Sequence, residues 1–200
     1  MDTSQVNLQG YKRLQIRNLP DVAGVYALCD LDAVPIYVGQ AKSSRDASIR
    51  KRVQRHITSA RSDIIANRQL DVWEVGYVWA WSESEPTARL ELEAQLFHLF
   101  DRRSQLVNGS VPRMPQHPLG ETPESVRVQV LPDDVLQVRR DPAIRFPRQA
   151  QQFNQLLDYI LNTQDKQHLR RALRVHHARL THHLRHFLGT HGTPESEDED

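Results

Sequence analysis

Five side chains in the first half of the chain are of the types that phosphate chemistry uses. Arg52 and His56 are four residues apart in a segment of helical periodicity, which places them on one helix face. Tyr26 and Tyr37 lie in two β-rich segments, and Glu93 lies in a later helix at the edge of its apolar stripe. Hydrolysis of a phosphodiester needs a water nucleophile, neutralised phosphoryl oxygens and a stabilised leaving group. A guanidinium, a metal-binding carboxylate and proton-handling groups together meet those needs.

Each of these residues also has an ordinary structural interpretation. Tyrosines in strands commonly fill a core, and a single arginine such as Arg52 is usually a solvated surface cation. His56 borders the apolar positions Val53 and Ile57 and fits a satisfied, half-buried histidine. Glu93 is the most informative of the set, because a carboxylate beside a buried stripe is costly unless a cation or hydrogen bonds compensate. Taken one at a time, these residues do not decide the function.

The elements that must position these side chains follow the order β-β-α-β-α. The segments 24–29 and 35–39 predict a β-hairpin turning at residues 31–32, with Tyr26 and Tyr37 directly opposite each other. Ser43 or Ser44 is the expected N-cap of the first helix. The aromatic and valine-rich segment 71–81 predicts a third strand, and Glu85-Pro86 predicts the start of the second helix.

The tripeptides Gly24-Val25-Tyr26 and Tyr37-Val38-Gly39 resemble the naming motif of the GIY-YIG nucleases, with valine in place of isoleucine in both. Arg52 and His56 match the arginine of that family and the tyrosine or histidine that follows it by four residues. Glu93 matches the family's glutamate in the second helix, and Asn108 matches the asparagine that closes the domain. The resemblance covers about residues 22–109. Gln40 departs from the bacterial excision-repair members, which often carry lysine at this position.

The resemblance implies a catalytic set with a role for each member, which comprises Tyr26, Tyr37, Arg52, His56, Glu93 and Asn108. Glu93 is the expected sole protein ligand of a hard divalent cation, Mg²⁺ or Mn²⁺. Arg52 would brace the phosphate with its planar fork. Tyr26 is the expected general base and Tyr37 a positioning donor, with the two roles interchangeable. Because the pKa of a free phenol is about 10, Arg52 or metal-bound water must lower it. His56 would orient the nucleophile or contact the phosphate.

Charge is distributed unevenly along a chain whose formal net charge is only +1. A cationic stripe between residues 42 and 61 suits contact with a phosphate backbone, although a solvated helix face has the same composition. The expected nucleic-acid contacts are Gly39, Gln40, Lys42, Arg45, Arg50, Lys51 and Arg55. Salt-dependent DNA affinity is the corresponding expectation.

The second half of the chain gives fewer indications. A Pro-rich passage and one short strand precede two helices, 148–161 and 165–188, that form a hairpin. His182 and His186 have the spacing of a shared metal site, but a plain amphipathic helix is the preferred interpretation. That helix would clamp DNA, pack on the nuclease domain or mediate homodimerisation, and the sequence does not choose among the three. The predicted organisation is a lead-in at 1–21, a nuclease domain at 22–110, a linker and strand region at 111–146, a helical hairpin at 147–189 and a disordered acidic tail at 190–200.

The predicted fold class is α+β, with a small mixed sheet flanked by helices and an extension that ends in the helical hairpin. No apolar run approaches the ~20 residues that span a bilayer, and the start lacks the order of a secretory signal, so we expect a cytoplasmic protein. The lone Cys29 excludes an internal disulfide. The preferred function is a metal-dependent endonuclease that hydrolyses DNA. The alternatives are a non-catalytic nucleic-acid-binding module that retains the fold, or an interaction protein that works through its C-terminal helices.

Overall fold

The computed structural model describes residues 7–42, 47–58 and 69–191. In chain order its elements are α1 (Leu8–Ile16), β1 (Gly24–Cys29), β2 (Pro35–Ala41), α2 (Ile49–Thr58), a 3-10 turn (Val72–Glu74), β3 (Tyr77–Ser82), α3 (Pro86–Asp101), β4 (Val126–Gln129), α4 (Asp133–Arg140), α5 (Pro142–Asn162) and α6 (Gln167–His191). The predicted α+β class is therefore confirmed. No helix among the described residues is long and apolar enough to cross a membrane.

The four strands form one sheet in the order β2-β1-β3-β4. All three pairings are antiparallel, which corrects the expectation of a mixed sheet. Every residue of β1 is buried, because this central strand has a neighbour on each side and helices over both faces. On one face, Tyr26 and Leu28 pack with residues of α1 and α2, and on the other face Val25 and Ala27 pack with residues of α3.

The hairpin between β1 and β2 differs from the predicted one in register. Tyr26 pairs with Gly39 and Leu28 pairs with Tyr37, so the two tyrosines lie diagonally rather than directly opposite. The turn spans more residues than expected, because the Asp30 carboxylate accepts hydrogen bonds from the backbone N–H groups of Asp32 and Val34. The shift is two residues, an even number, so both phenols still lie on the same face of the sheet.

Several predicted boundaries also change. The third strand begins at Tyr77 rather than at Asp71, because the Asp71 side chain caps the 3-10 turn by accepting from the Trp73 N–H. Ser43 and Ser44 lie outside the described residues, and Ser48 caps α2 by accepting from the Lys51 N–H. The predicted start at Glu85-Pro86 is confirmed for α3.

The segment beyond residue 110 contributes to the same sheet. β4 pairs with β3, so the short strand that was predicted within the linker region is an edge strand of the sheet. Helix α4 was not predicted, and α5 begins at Pro142 and continues through Pro147 rather than beginning at residue 148. The predicted hairpin is formed by α5 and α6, and most of the predicted acidic tail lies outside the described residues.

The helical hairpin is fastened to the sheet by a buried ion-pair network. Arg145 of α5 contacts Glu74 at 2.8 Å, and both side chains are only 4% exposed. Asp30 accepts from both Arg145 and Arg179, which joins the β1–β2 turn to α5 and α6. Burial alone would lower the pKa of Arg145, but the carboxylates of Glu74 and Asp32 raise it above its ordinary value. The hairpin is thus packed on the sheet, while DNA clamping and dimerisation through these helices stay predictions.

Replacing Arg145 by alanine is expected to destabilise the protein by about 3–5 kcal/mol. Glu74 would lose its close ion pair and keep only the more distant Arg179 at 3.7 Å, and Asp30 would be left with Arg179 as its one cation among the described residues. The midpoint of urea denaturation measures this loss. Arg170, whose pair with Asp165 is exposed, provides the control, and Arg170→Ala should change the midpoint little because water replaces the lost partner. Equal midpoints for Arg145→Ala and the wild-type protein would contradict the structural role of the network.

Candidate active site

Tyr26 and Tyr37 form the centre of the site on the face of the sheet that α2 covers. Their ring centroids are 6.2 Å apart. Tyr26 is fully buried, whereas Tyr37 is half-buried at the edge strand. Gly39 makes this packing possible, because a Cβ at that position would lie 2.7 Å from the Tyr26 hydroxyl and 2.9 Å from the Tyr37 ring. The glycine of the second tripeptide therefore gives room to the phenols, and its burial argues against the predicted contact with nucleic acid.

His56 of α2 completes a triangle of rings with the two tyrosines. Its Nε2 atom lies 2.9 Å from the Tyr26 hydroxyl, and its ring centroid is 5.6 Å from that of Tyr37. Burial, together with the nearby charges of Arg52 and Arg55, lowers the pKa of His56 to about 4. The imidazole is therefore neutral at pH 7. In the tautomer in which Nε2–H donates to the Tyr26 hydroxyl, Nδ1 is the free acceptor.

The pKa of Tyr26 does not follow the sequence-based expectation. Arg52 does lower it, but burial and the neighbouring Tyr37 raise it, and the net pKa lies above that of a free phenol. Burial also raises the pKa of Tyr37, against the opposing charge of Arg52. Arg52 alone therefore does not bring either phenol into the range of a general base, and the alternative, a pKa lowered by metal-bound water, stays a prediction. Both phenols are protonated hydrogen-bonding groups at pH 7.

Arg52 provides the positive charge of the site. The guanidinium is close enough to lower the pKa of both phenols and of Glu93. Its Nε atom is buried and has no hydrogen-bond partner in the described part of the chain. Since a buried unpaired donor is costly, this atom is suited to an oxyanion that binds between the helix and the tyrosines.

Glu93 of α3 lies next to β2, the strand that carries Tyr37. It is half-buried, as its position beside the apolar stripe predicted, and burial raises the pKa of its carboxyl. Gln40 on β2 donates to the Glu93 carboxylate at 2.8 Å, and the buried Arg89 lies 3.4 Å from the Gln40 amide oxygen. The charge of Glu93 also raises the pKa of Tyr37, so the two groups share one electrostatic environment. The bonds to Gln40 hold the Glu93 side chain in one orientation.

Gln40 and Arg89 are the site residues whose function the sequence did not reveal. Gln40 drew attention only as a departure from the family's lysine and as a predicted nucleic-acid contact. Arg89 is four residues before Glu93 on α3, a spacing that places both on one helix face and would have identified it. Arg89 also donates to the backbone carbonyls of Glu83 and Ser84, which anchors it at the start of the helix.

Asn108 lies beside β2 and holds the edge strand in place. Its side-chain oxygen accepts from the Val38 N–H at 3.0 Å, and its amide nitrogen donates to the Val38 carbonyl at 2.6 Å. Because both ends of the amide are used by the backbone, Asn108 is a positioning residue between Tyr37 and Gly39. Asn108, predicted as a catalytic residue, thus contacts the backbone of the strand that carries Tyr37.

The cations predicted to contact the phosphate backbone of a nucleic acid separate into two groups. Arg50 donates to the Leu19 carbonyl and lies 3.5 Å from Asp21, so its guanidinium anchors α2 to the lead-in segment. Lys42 and Arg55 are exposed, Lys51 is half-buried, and Arg45 lies outside the described residues. The cations that remain accessible for phosphates therefore lie at the end of β2 and along α2.

The donor set at Glu93 fits a hard divalent cation. One half-buried carboxylate held by an amide suits Mg²⁺ or Mn²⁺, which retain several water ligands and use few protein oxygens. Among the described residues no three histidine, cysteine, aspartate or glutamate side chains form a group that could hold a metal ion. A site with a single carboxylate is compatible with that finding.

The arrangement joins an acidic group, a guanidinium, two phenols and a neutral imidazole from four elements, β1, β2, α2 and α3. Its chemical interpretation depends on this geometry. The chain matches no model of a known protein family, no curated protein and no solved structure with which it was compared.

Proposed function

We propose that this protein is a divalent-metal-dependent nuclease of the GIY-YIG type that hydrolyses phosphodiester bonds in DNA. The observation that carries the proposal is the convergence of Tyr37, Arg52, His56 and Glu93 at the β2 edge of the sheet. Packing needs neither an Arg52 Nε that has no hydrogen-bond partner among the described residues nor a half-buried Glu93 carboxylate whose pKa the charge of Arg52 lowers. Both features are useful when a phosphate and a cation bind there.

Substrate binding depends on charge in this proposal. Arg52 binds the phosphoryl oxygens through its buried Nε and stabilises the charge that develops on them. Glu93 holds the cation, with Gln40 fixing the carboxylate. When bound, the cation supplies Lewis-acid polarisation of the phosphate. Tyr37, the more accessible phenol, hydrogen-bonds to the attacking water or to a phosphoryl oxygen.

His56 is the best candidate for the proton acceptor, which revises the role first given to Tyr26. His56 is neutral at pH 7 because its pKa is lowered to about 4, whereas Tyr26 is fully buried and its pKa is raised. The 2.9 Å contact lets Tyr26 orient the imidazole, as a second group orients the base of many hydrolases. Tyr26 is then a positioning residue, and His56 removes the proton from water.

The experiment that tests the proposed function is incubation of the purified protein with Mg²⁺ and a panel of linear, nicked, branched and single-stranded DNAs. We expect cleavage of at least one of these substrates, and we expect chelation of the metal by EDTA to stop it. No cleavage of any substrate with Mg²⁺ or Mn²⁺ would reject the proposal. Cleavage that persists in EDTA would reject the metal-dependent mechanism.

The roles of His56 and Tyr26 are separated by two substitutions. A general base contributes roughly 10²- to 10⁴-fold to a rate, so His56→Gln is expected to lower kcat by that amount, and Tyr26→Phe should have a smaller effect. Single-turnover cleavage measures both, and NMR titration of the wild-type protein should give a His56 midpoint near pH 4. A larger loss of kcat for Tyr26→Phe than for His56→Gln would assign the general base to Tyr26 instead.

DNA affinity is expected to fall as salt concentration rises, because bound phosphates release counterions. The exposed Lys42 and Arg55 are the cations to remove, and each substitution by alanine should reduce the slope of log affinity against log salt by roughly one unit. Fluorescence anisotropy with labelled DNA measures the slope. Arg170→Ala, which removes an exposed cation on α6, is the control. A slope that is unchanged in the double variant would exclude this surface as the DNA contact.

A further inference from the structure

A second site lies at the end of the sheet where the β1–β2 turn meets the C-terminal helices. The cavity has a volume of about 650 Å³, within the range of small-molecule sites. Four parts of the chain line it, namely the β1–β2 turn, residues 103–105 after α3, the junction of α4 and α5, and the C-terminal half of α6. We call it the arginine–histidine pocket, after Arg103, Arg140, Arg145, Arg179, His182 and His183.

The cations of this pocket are not all neutralised. Arg145 and Arg179 form the floor, and the carboxylates of Asp30, Asp32 and Glu74 pair with them. Arg140 donates to the Leu31 carbonyl and to the Tyr77 hydroxyl. Arg103 is exposed at the rim, and no hydrogen bond or ion pair with another described residue engages its guanidinium. A full positive charge with an open fork therefore faces the pocket.

Three histidines of α6 lie close together in the pocket, near the charges of Arg145 and Arg179. The rings of His182 and His183 are 5.0 Å apart, and those of His182 and His186 are 4.8 Å apart. Burial lowers the pKa of His183 to about 3, and Arg145, Arg179 and His182 contribute in the same direction, while Asp32 opposes them. His183 is therefore a neutral hydrogen-bonding group in a field that favours an anion.

A metal ion is a poorer occupant than an anion. The described residues contain no group of three potential ligands that could hold a metal, although three histidines and two aspartates line this one cavity. The arginines that lower the pKa of His183 would also repel a cation. The spacing of His182 and His186, which suggested a metal site in the sequence, is better explained by anion binding.

We propose that the arginine–histidine pocket binds a phosphate monoester. The fork of Arg103 is matched to two phosphate oxygens, and an imidazole N–H of His183 or His182 supplies a further donor. The cavity has room for a mononucleotide in addition to its phosphate. The same chemistry is carried by a free mononucleotide and by the 5′-phosphorylated end of a nucleic acid. The proposal does not depend on the nuclease function, since the pocket shares no residue with the site at Glu93.

Isothermal titration calorimetry of the full-length protein tests the proposal with four probes. The probes are adenosine 5′-monophosphate, adenosine, and one short single-stranded oligonucleotide prepared with a 5′-phosphate and with a 5′-hydroxyl. We expect a phosphorylated probe to bind and its unphosphorylated counterpart not to bind. Binding of the mononucleotide identifies a free nucleotide as the source, and binding of the phosphorylated oligonucleotide alone identifies a nucleic-acid end. Failure of both phosphorylated probes at millimolar concentration would overturn the proposal.

Two variants locate the binding. Arg103→Ala should weaken binding of the phosphorylated probe by roughly tenfold or more, because a charge-assisted hydrogen bond is lost. Arg102→Ala is the matched control, since Arg102 is the adjacent exposed cation but donates outside the pocket, to the carbonyls of His98 and Leu119. Equal losses in the two variants, or binding of Zn²⁺ that excludes the phosphorylated probe, would overturn the assignment. Glu93→Gln should bind the probe as the wild-type protein does.

Discussion

Replacing Glu93 by glutamine is expected to reduce Mg²⁺-dependent DNA cleavage by roughly 10³-fold or more, because the cation that it holds supplies several kcal/mol of transition-state stabilisation. The amide oxygen of glutamine can still accept from Gln40, so the side chain keeps its place. Burial raises the pKa of Glu93, which means that the folded state disfavours the charged carboxylate. The neutral variant should therefore be at least as stable as the wild-type protein at pH 7. Nicking of supercoiled plasmid and a thermal melt measure the two effects.

The control for this prediction is Glu91→Gln on the same helix. Glu91 is half-buried, and its carboxylate accepts from the backbone N–H of His117. It is two residues from Glu93, which turns it away from the Gln40 contact. Cleavage by this variant should stay close to the wild-type rate. Wild-type cleavage by Glu93→Gln would remove the metal role from this carboxylate.

Replacing Arg52 by lysine is expected to lower kcat by roughly 10²- to 10³-fold, a loss typical of one oxyanion-stabilising group. Lysine keeps the charge but lacks the planar fork and the buried Nε that has no partner in the described part of the chain. The loss should appear in kcat, because the developing charge is greatest in the transition state. Steady-state cleavage of a short duplex gives kcat and KM separately.

Arg55→Ala provides the comparison for Arg52→Lys, because Arg55 lies on the same helix but is exposed. As a backbone-contacting cation it should raise KM and leave kcat nearly unchanged. A lysine variant with a wild-type kcat would show that Arg52 supplies only charge. Equal kcat losses in the two variants would indicate a general field effect of α2 rather than a specific contact with the phosphate.

Replacing Arg52 by alanine would also change the state of His56. The charge of Arg52 is one reason that the pKa of His56 is lowered to about 4. Its removal should raise that pKa towards the ordinary value, which follows because a nearby cation disfavours protonation. Arg52 and His56 are therefore coupled: they lie four residues apart on one face of α2, and the charge of Arg52 helps to keep His56 neutral at pH 7.

Local patterns in the sequence determined much of the architecture around the site. The strand at 24–29, the Glu85 cap of α3 and the apolar stripe of that helix follow from side-chain periodicity and capping chemistry, which act over a few residues. The same patterns put Arg52 and His56 on one helix face and Glu93 beside a buried stripe. The resemblance of residues 24–26 and 37–39 to the nuclease motif is also a local sequence pattern, and the nuclease function stays a proposal.

Only the tertiary structure decided how these groups affect one another. The pairing of Tyr26 with Gly39, the Gln40–Glu93 bond and the Asn108 contacts with Val38 join residues up to 70 positions apart. The raised pKa of Tyr26 and the lowered pKa of His56 depend on burial by several elements, and no local pattern measures burial. The ion pairs of Asp30 with α5 and α6, and the arginine–histidine pocket beside them, arise for the same reason. Side-chain type and spacing are fixed by the chain, whereas desolvation and long-range partners exist only after it has folded.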